Sequence, residues 1–330
     1  MYLLKILVSG GLGFIGSNFI LRVLEKNEDI SIINVDAEFL GSNHKNLSKI
    51  ENLQNYRFVK GNITNPNLMR ELITESDLVV NFAAESFVDR SINNANPFLV
   101  SNIRGTFTIL EIIKQQKKRL VQISTDEVFG SLETGSAKEE SRFNPSSPYA
   151  ATKAAAELLV NSYNVTYDCD CIITRSTNNY GPRQFPEKLI PKIILLASQN
   201  KKIPIYGTGK NIRDWLFVDD HCDVIFDVLL SGKSGQSYNI SAENEIDNVS
   251  VVKKILNIMD KSEDLINYVD DRPGHDLRYS LDSSKIRNEL NWNQKISFDD
   301  GIKKTVDWYL NNSNLYTDMQ NEISKSTPWK

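Results

Sequence analysis

The chain has 330 residues, 40% of them hydrophobic and 24% charged, with a formal net charge of −4. That is enough chain for one large α/β unit or two joined lobes, and the composition is that of an ordinary folded protein. The mildly acidic balance excludes general binding to DNA, RNA or an anionic membrane, and no apolar run approaches the ~20 residues needed to cross a bilayer.

Residues 1–8 read as a first strand running straight into a glycine loop, too short and wrongly flanked for a signal peptide. Short β-branched apolar runs recur at 5–9, 31–36, 57–61, 78–83, 119–124 and 171–175, separated by helical patterns. Runs this apolar are buried on both faces, and their alternation with helices implies a parallel sheet covered on each side. The expected fold is α/β: a Rossmann-type doubly wound parallel sheet with a smaller C-terminal α/β substrate-binding lobe.

The first turn, Gly10-Gly11-Leu12-Gly13-Phe14-Ile15-Gly16, opens a helix. Gly10, Gly13 and Gly16 let the backbone turn tightly and approach a pyrophosphate, which then meets the free N–H groups of the helix start. Asp36 ends the second run; a carboxylate there accepts from ribose hydroxyls and repels a 2′-phosphate, so the cofactor read from the sequence is NAD. Asn178-Asn179-Tyr180-Gly181-Pro182 is a loop signal, followed by a helix pattern around 187–198. Residues 213–240 read as a helix and strand returning to the first lobe. The boundaries are therefore 1–180 plus about 210–241 for the NAD-binding lobe, 181–209 and about 242–310 for the second lobe, and a polar tail over 311–330. Cys169, Cys171 and Cys222 form no disulfide framework, and His44, His221 and His275 lack zinc spacing, so no metal is expected and the cytoplasm is the default address. Apolar or small residues over more than one face at 102–113 and 150–160 point to a homodimer.

Ser147-Pro148-Tyr149 reads as a helix start, which puts Tyr149 and Lys153 one turn apart on one face. An ammonium there is expected to lower the phenol's pKa and make Tyr149 a base for a sugar hydroxyl. Ser124-Thr125-Asp126-Glu127-Val128-Phe129-Gly130 falls at the C-terminal end of the fifth run, where open parallel sheets bind ligands. Two adjacent carboxyls exceed what simple hydride transfer needs. They suit an elimination, with a base at one carbon and an acid at the next.

The G-x-x-G-x-x-G spacing resembles the extended short-chain dehydrogenase/reductase family, and Asn81-Phe82-Ala83-Ala84 fits that family's fourth strand. With Glu85-Ser86, Val88-Asp89-Arg90-Ser91, Ser124–Gly130, Phe185-Pro186-Glu187-Lys188-Leu189, Arg213-Asp214-Trp215 and Arg272-Pro273-Gly274-His275, the chain closely resembles the dTDP-glucose 4,6-dehydratases. The resemblance implies catalysis by Thr125, Asp126, Glu127, Tyr149 and Lys153. It implies NAD contacts at Phe14, Ile15, Asn62, Ile63, Phe82, Ala83, Ala84, Ser86, Ser101 and Asn179. For a nucleoside-diphosphate sugar it implies Ser86, Thr125, Asn178, Asn179, Glu187, Lys188, Leu189, Pro204, Tyr206, Arg213, Asn248, Arg272 and His275. The implied reaction is C4 oxidation, loss of water across C5 and C6, and hydride return to C6. Phe87 and Phe129 stand where relatives usually carry His and Tyr, and residues 37–42 also depart. Epimerases and UDP-glucuronate decarboxylases of the same fold, and a non-catalytic NAD-binding protein, are the competing readings. The nucleotide base stays open among thymidine, uridine and cytidine.

Overall fold

The computed structural model describes residues 3–319. Strand β1 (Leu4–Ser9) passes through the glycine turn into α1 (Phe14–Lys26), followed by β2 (Ile30–Asp36), β3 (Tyr56–Lys60), α2 (Pro66–Glu75) and β4 (Leu78–Asn81). Helices α3 (Val88–Asn93) and α4 (Asn96–Phe98) continue through a π-helical stretch, Leu99–Gly105, into α5 (Thr106–Gln116). After β5 (Arg119–Thr125), a single 3-10 turn, Asp126–Phe129, precedes α6 (Pro148–Tyr167), β6 (Cys171–Ser176) and β7 (Asn178–Tyr180). Next come α7 (Leu189–Ser198), β8 (Ile203–Tyr206), β9 (Ile212–Phe217), α8 (Val218–Ser231) and β10 (Ser237–Ile240). The chain closes with β11 (Glu245–Asp247), α9 (Asn248–Ile258), β12 (Ile266–Val269), α10 (Ser284–Leu290) and α11 (Phe298–Asn311).

Seven strands pair in parallel in the order β10-β6-β5-β4-β1-β2-β3. The period of two sends alternate residues to opposite faces. Ile6, Val8 and Ile32 pack under α1 and α8. Leu7, Ile33 and Val79 pack under α2, α5 and α6. This is the doubly wound α/β fold, and its direction reverses between β1 and β4, which opens a crevice beyond the strands' C-terminal ends.

A second core joins α7, α9 and α11 to β8 and β9 around Ile193, Trp215, Ile255 and Ile302. Its sheets are β11-β9-β7 and β12-β8. Three segments differ from the sequence reading. Ile212–Phe217, read with 210–241 as part of the first lobe, is β9 and pairs with β7 and β11 in the second sheet, where Trp215 and Phe217 enter the second core. Asn178–Tyr180, read as loop, is β7 and pairs with Trp215–Phe217; the fully buried Tyr180 ring, packed on Trp215, Phe217 and Phe298, holds it there. The tail expected from 311 begins instead with a 3-10 helix, Ser313–Met319, because Leu315 and Tyr316 pack into this second core. The rest of that tail, 320–330, lies outside the described residues. Among those described, no helix is long and apolar enough to cross a membrane.

Candidate active site

The glycine turn between β1 and α1 accepts only bare backbone. Gly10 has φ +75, and a Cβ there would lie 2.6 Å from the Ala83 nitrogen; one on Gly16 would run into the Gly10 carbonyl. No side chain caps α1, so its first N–H groups stay available to an anion. Gly10, Gly13, Phe14, Ile15, Gly16, Asp36, Asn62 and Ile63 line one cleft with Phe82, Ala83, Ala84, Ser86, Ser101, Tyr149, Lys153 and Asn179. Each coenzyme residue expected from the sequence faces this one space. Asp36 already accepts from the Leu12 amide (3.0 Å), the Glu38 amide (2.8 Å) and the Ser42 hydroxyl (2.8 Å), so it orders its own loop as well as facing the cleft. Asn62 Oδ1 similarly accepts from the Thr64 amide and hydroxyl. Gly10→Ala is expected to weaken NAD binding about 10–100-fold, from positive-φ strain and the clash with Ala83, as read by NAD titration and coenzyme content after gel filtration.

The catalytic candidates sit where the end of β5 meets the start of α6. Ser147 caps α6, its hydroxyl accepting from the Ala150 amide (3.1 Å), and Pro148 is the first helical residue. Tyr149 is buried, its ring edge on to Phe98. Thr125 donates its hydroxyl to Asp126 Oδ1 (3.1 Å) and accepts from the Glu127 amide (3.3 Å). Burial, reinforced by the Glu127 charge, pushes the Asp126 carboxyl up to about 8, so it holds a proton at neutral pH. Burial also raises Glu127, while Arg272, Arg213 and Lys188 pull it back down. Asp126 Oδ2 and Glu127 Oε2 are buried with no hydrogen-bond partner among the described residues.

One expectation fails here. Burial, with the Glu127 charge, drives the Tyr149 phenol above its ordinary range rather than below it, and Asp126 adds to this when it ionises. Lys153 donates to the Ile123 carbonyl (2.6 Å), and burial brings its ammonium down to about 8. A shared helix face shows that the two side chains are near; desolvation outweighs that proximity.

A second cleft adjoins the first and shares Glu127, Asn178 and Lys188 with it. Glu187, Leu189, Pro204, Tyr206, Arg213, Asn248, Arg272 and His275 line it. Ser86, Thr125 and Asn179 face the coenzyme cleft instead, beside that junction. Arg272 is fixed by Asp89 (2.7 Å), whose other oxygen accepts from the Tyr206 hydroxyl (3.1 Å). Arg213 stacks 4.3 Å over the Tyr279 ring and donates to the carbonyls of Ile212, Asp276 and Leu277. Lys188 donates to the Ser86 carbonyl (2.8 Å) and lies 4.8 Å over the Phe87 ring. Glu187 is committed to Arg90 (2.7 Å). Burial and Arg272 lower His275 to about 4, so its ring is neutral at pH 7. Arg272 Nε, Trp215 Nε1 and the side-chain oxygens of Asn178, Asn179 and Asn248 are all buried without a partner among the described residues. Unsatisfied donors and acceptors gathered around two joined clefts mark a place for polar ligands.

Sequence reasoning passed over Asp89, Trp215 and Tyr279, which also line this cleft. Asp89 and Trp215 lie inside the stretches that carry the resemblance, but nothing local announces that Asp89 will anchor Arg272, 183 residues away. Phe39 and Leu40, in the departing 37–42 segment, are exposed at the edge of the coenzyme cleft. Phe87 packs edge on to Phe185 where the clefts meet.

Residues 7–305 match the family model described as GDP-mannose 4,6 dehydratase. The Haloferax volcanii low-salt glycan biosynthesis protein Agl12 is 45% identical over 308 residues, covering 93% of this chain and 99% of that one. A dTDP-glucose 4,6-dehydratase from Bacillus anthracis, solved in complex with NAD, superposes with a TM-score of 0.89 at 45% identity, covering 94% of this chain and 98% of that one. DesIV, a dTDP-glucose 4,6-dehydratase from Streptomyces venezuelae solved with NAD bound, gives 0.94 at 40% identity, covering 96% of this chain and all (100%) of that one.

Proposed function

The chain belongs to the dTDP-glucose 4,6-dehydratase family, and from that premise we propose that it converts dTDP-glucose to dTDP-4-dehydro-6-deoxyglucose. The observation that carries this reading is the pair formed by the buried Asp126 and the half-buried Glu127, whose Oε2 is itself enclosed, beside Tyr149 where one cleft meets the other. An epimerase on this fold has no use for two adjacent carboxyls there.

NAD, held by the glycine turn and the walls of the first cleft, supplies a hydride acceptor for C4 of the sugar and a hydride donor for C6. Tyr149 takes the proton of the C4 hydroxyl. Lys153 is the cation on its helix face that offsets the burial opposing a phenolate; an ammonium has three donors, and the Ile123 carbonyl uses one. The C4 ketone acidifies C5–H, and Glu127 removes that proton with an oxygen that has no partner among the described residues. Asp126, protonated up to about 8, gives its proton to the departing C6 hydroxyl, which leaves as water. Glu127 then returns a proton to C5. Net, the sugar loses one water and the coenzyme ends as it began.

Arg213, Arg272, Asn179 and Asn248 are assigned to the diphosphate, with Arg272 pre-aimed by Asp89. Lys188, Leu189, Pro204 and Tyr206 are assigned to the base, and Glu187, His275, Asn178 and Ser86 to the sugar and its surroundings. Exposed Leu99, Val100, Phe107 and Leu158, on the π-helical stretch, α5 and α6, are assigned to a second copy of the chain. Its place is the cytoplasm, in keeping with three free, buried cysteines.

The test is incubation with dTDP-glucose and no added NAD, following the alkaline absorbance of the keto sugar and its mass. A product lighter by one water supports the reading. Turnover of a UDP- or CDP-sugar instead keeps the chemistry and overturns the base, and no turnover of any sugar overturns the reaction.

A further inference from the structure

Behind the catalytic residues lies a charged pair that no step above uses. Glu157 is on α6, one turn beyond Lys153, as Lys153 is one turn beyond Tyr149. Its carboxylate is fully buried, and it meets Arg175 of β6, itself 2% exposed, through Nε at 2.9 Å and Nη2 at 2.7 Å. Ser124, next to Thr125 on β5, donates its hydroxyl to the same carboxylate at 2.5 Å. Ser124 and Arg175 are register partners across β5 and β6. The Arg175 guanidinium also lies 5.0 Å from the centre of the Phe129 ring, the last residue of the turn carrying Asp126 and Glu127. It donates further to the Glu139 carbonyl (3.1 Å).

A pair this deep is costly to desolvate, and an apolar pair of like volume is often as stable, so its presence asks for another explanation. This one touches both halves of the catalytic machinery: the helix with Tyr149 and Lys153, and the strand end with Thr125, Asp126 and Glu127. We infer that Glu157, clamped by Arg175, is a positioning residue that fixes the Asp126–Glu127 turn against α6 and supplies the countercharge to the Lys153 ammonium.

Among the elements packed on α6, the other charged groups are engaged elsewhere or remote. Asp89 and Arg90 on α3 hold Arg272 and Glu187. Glu111 on α5 holds Lys114 and the Tyr163 hydroxyl, Arg104 on the π-helical stretch is exposed, and Arg119, at the start of β5, pairs with Asp170. Asp126 and Glu127 face the cleft junction. Glu157 is the charge that opposes burial at Lys153 and keeps it protonated to about 8.

The inference rests on the dehydratase reading, and the test separates the two. The pH profile of kcat/KM on dTDP-glucose is measured for the wild type, E157Q and the double variant E157Q/R175M. The glutamine keeps an acceptor for Ser124 and removes the charge; the double variant leaves no lone buried guanidinium and so guards against misfolding. Asp126 and Lys153 both titrate near 8 in the wild type, but losing the Glu157 charge lowers Lys153 alone. E157Q is expected to move the alkaline limb about one pH unit toward neutral, and the double variant, which removes the Arg175 cation along with the anion, to move it the same way by less. For E157Q that is a loss of about tenfold near pH 8.5 that fades toward pH 6.5, with NAD content unchanged. Wild-type inactivity would sink the dehydratase reading. An active wild type whose limb stays put in the folded variants, or falls equally at every pH, would sink the role of Glu157.

Discussion

Glu127→Gln lowers dTDP-glucose turnover by a factor of about 10²–10⁴, the usual contribution of a placed general base, while NAD stays bound. Glu127 Oε2 is buried without a partner among the described residues, and its carboxyl is raised by burial yet restrained by Arg272, Arg213 and Lys188. That balance suits a group that must take a carbon-bound proton and later return it. The amide keeps the shape and loses every basic lone pair that matters. The sharper readout is exchange of C5–H with deuterated water, followed by mass. It should be present in the wild type and absent in Glu127→Gln, because the neighbouring carboxyl, Asp126, is protonated at neutral pH and cannot take its place. Undiminished exchange in a folded Gln variant would remove Glu127 from the mechanism and leave the water or Asp126 as the base.

The parts of this site that were legible beforehand are those written in short stretches of chain. The glycine turn is local: positive φ at Gly10 and close approach to Ala83 demand residues without a Cβ. The start of α6 is local too, since Ser147 and Pro148 declare it and thereby set Tyr149 and Lys153 on one face. The β-branched runs fixed the parallel sheet for the same reason, each carrying residues for both faces. What stayed hidden is pairing across distance and the effect of burial. Asp89 with Arg272 and Glu157 with Arg175 are single charges that look like solvated surface until the fold joins them. The phenol's direction of shift was misjudged because helix spacing reports proximity and says nothing about desolvation. Tyr180 and Tyr316, read within a loop and a tail, are buried because a second core needed aromatic volume.

Tyr149→Phe is expected to cost about 10²–10⁴ in kcat with little change in NAD affinity or stability, a combination that isolates proton transfer from positioning. The phenyl ring can keep the edge-on contact with Phe98, and the backbone amide still donates to the Ser91 hydroxyl at 3.2 Å. Only the hydroxyl is lost, at the point where Thr125 and the two carboxyls converge. Lys153→Met offers the contrast. It removes a cation that is both bonded to the Ile123 carbonyl and set against Glu157, so it should raise the KM for substrate or the Kd for NAD as well as lower kcat. The phenol gives a further discriminator. Because its neighbours hold it above the ordinary range, turnover should not improve when Asp126 ionises near pH 8; a second negative charge beside the ring makes the phenolate harder to form. Activity therefore falls on the alkaline side for three concordant reasons: loss of the acid at Asp126, loss of the Lys153 ammonium near the same pH, and a less accessible phenolate at Tyr149. A rate that instead climbed steadily through pH 9 in the wild type, and kept climbing in Tyr149→Phe, would mean that hydroxide rather than Tyr149 removes the C4 proton.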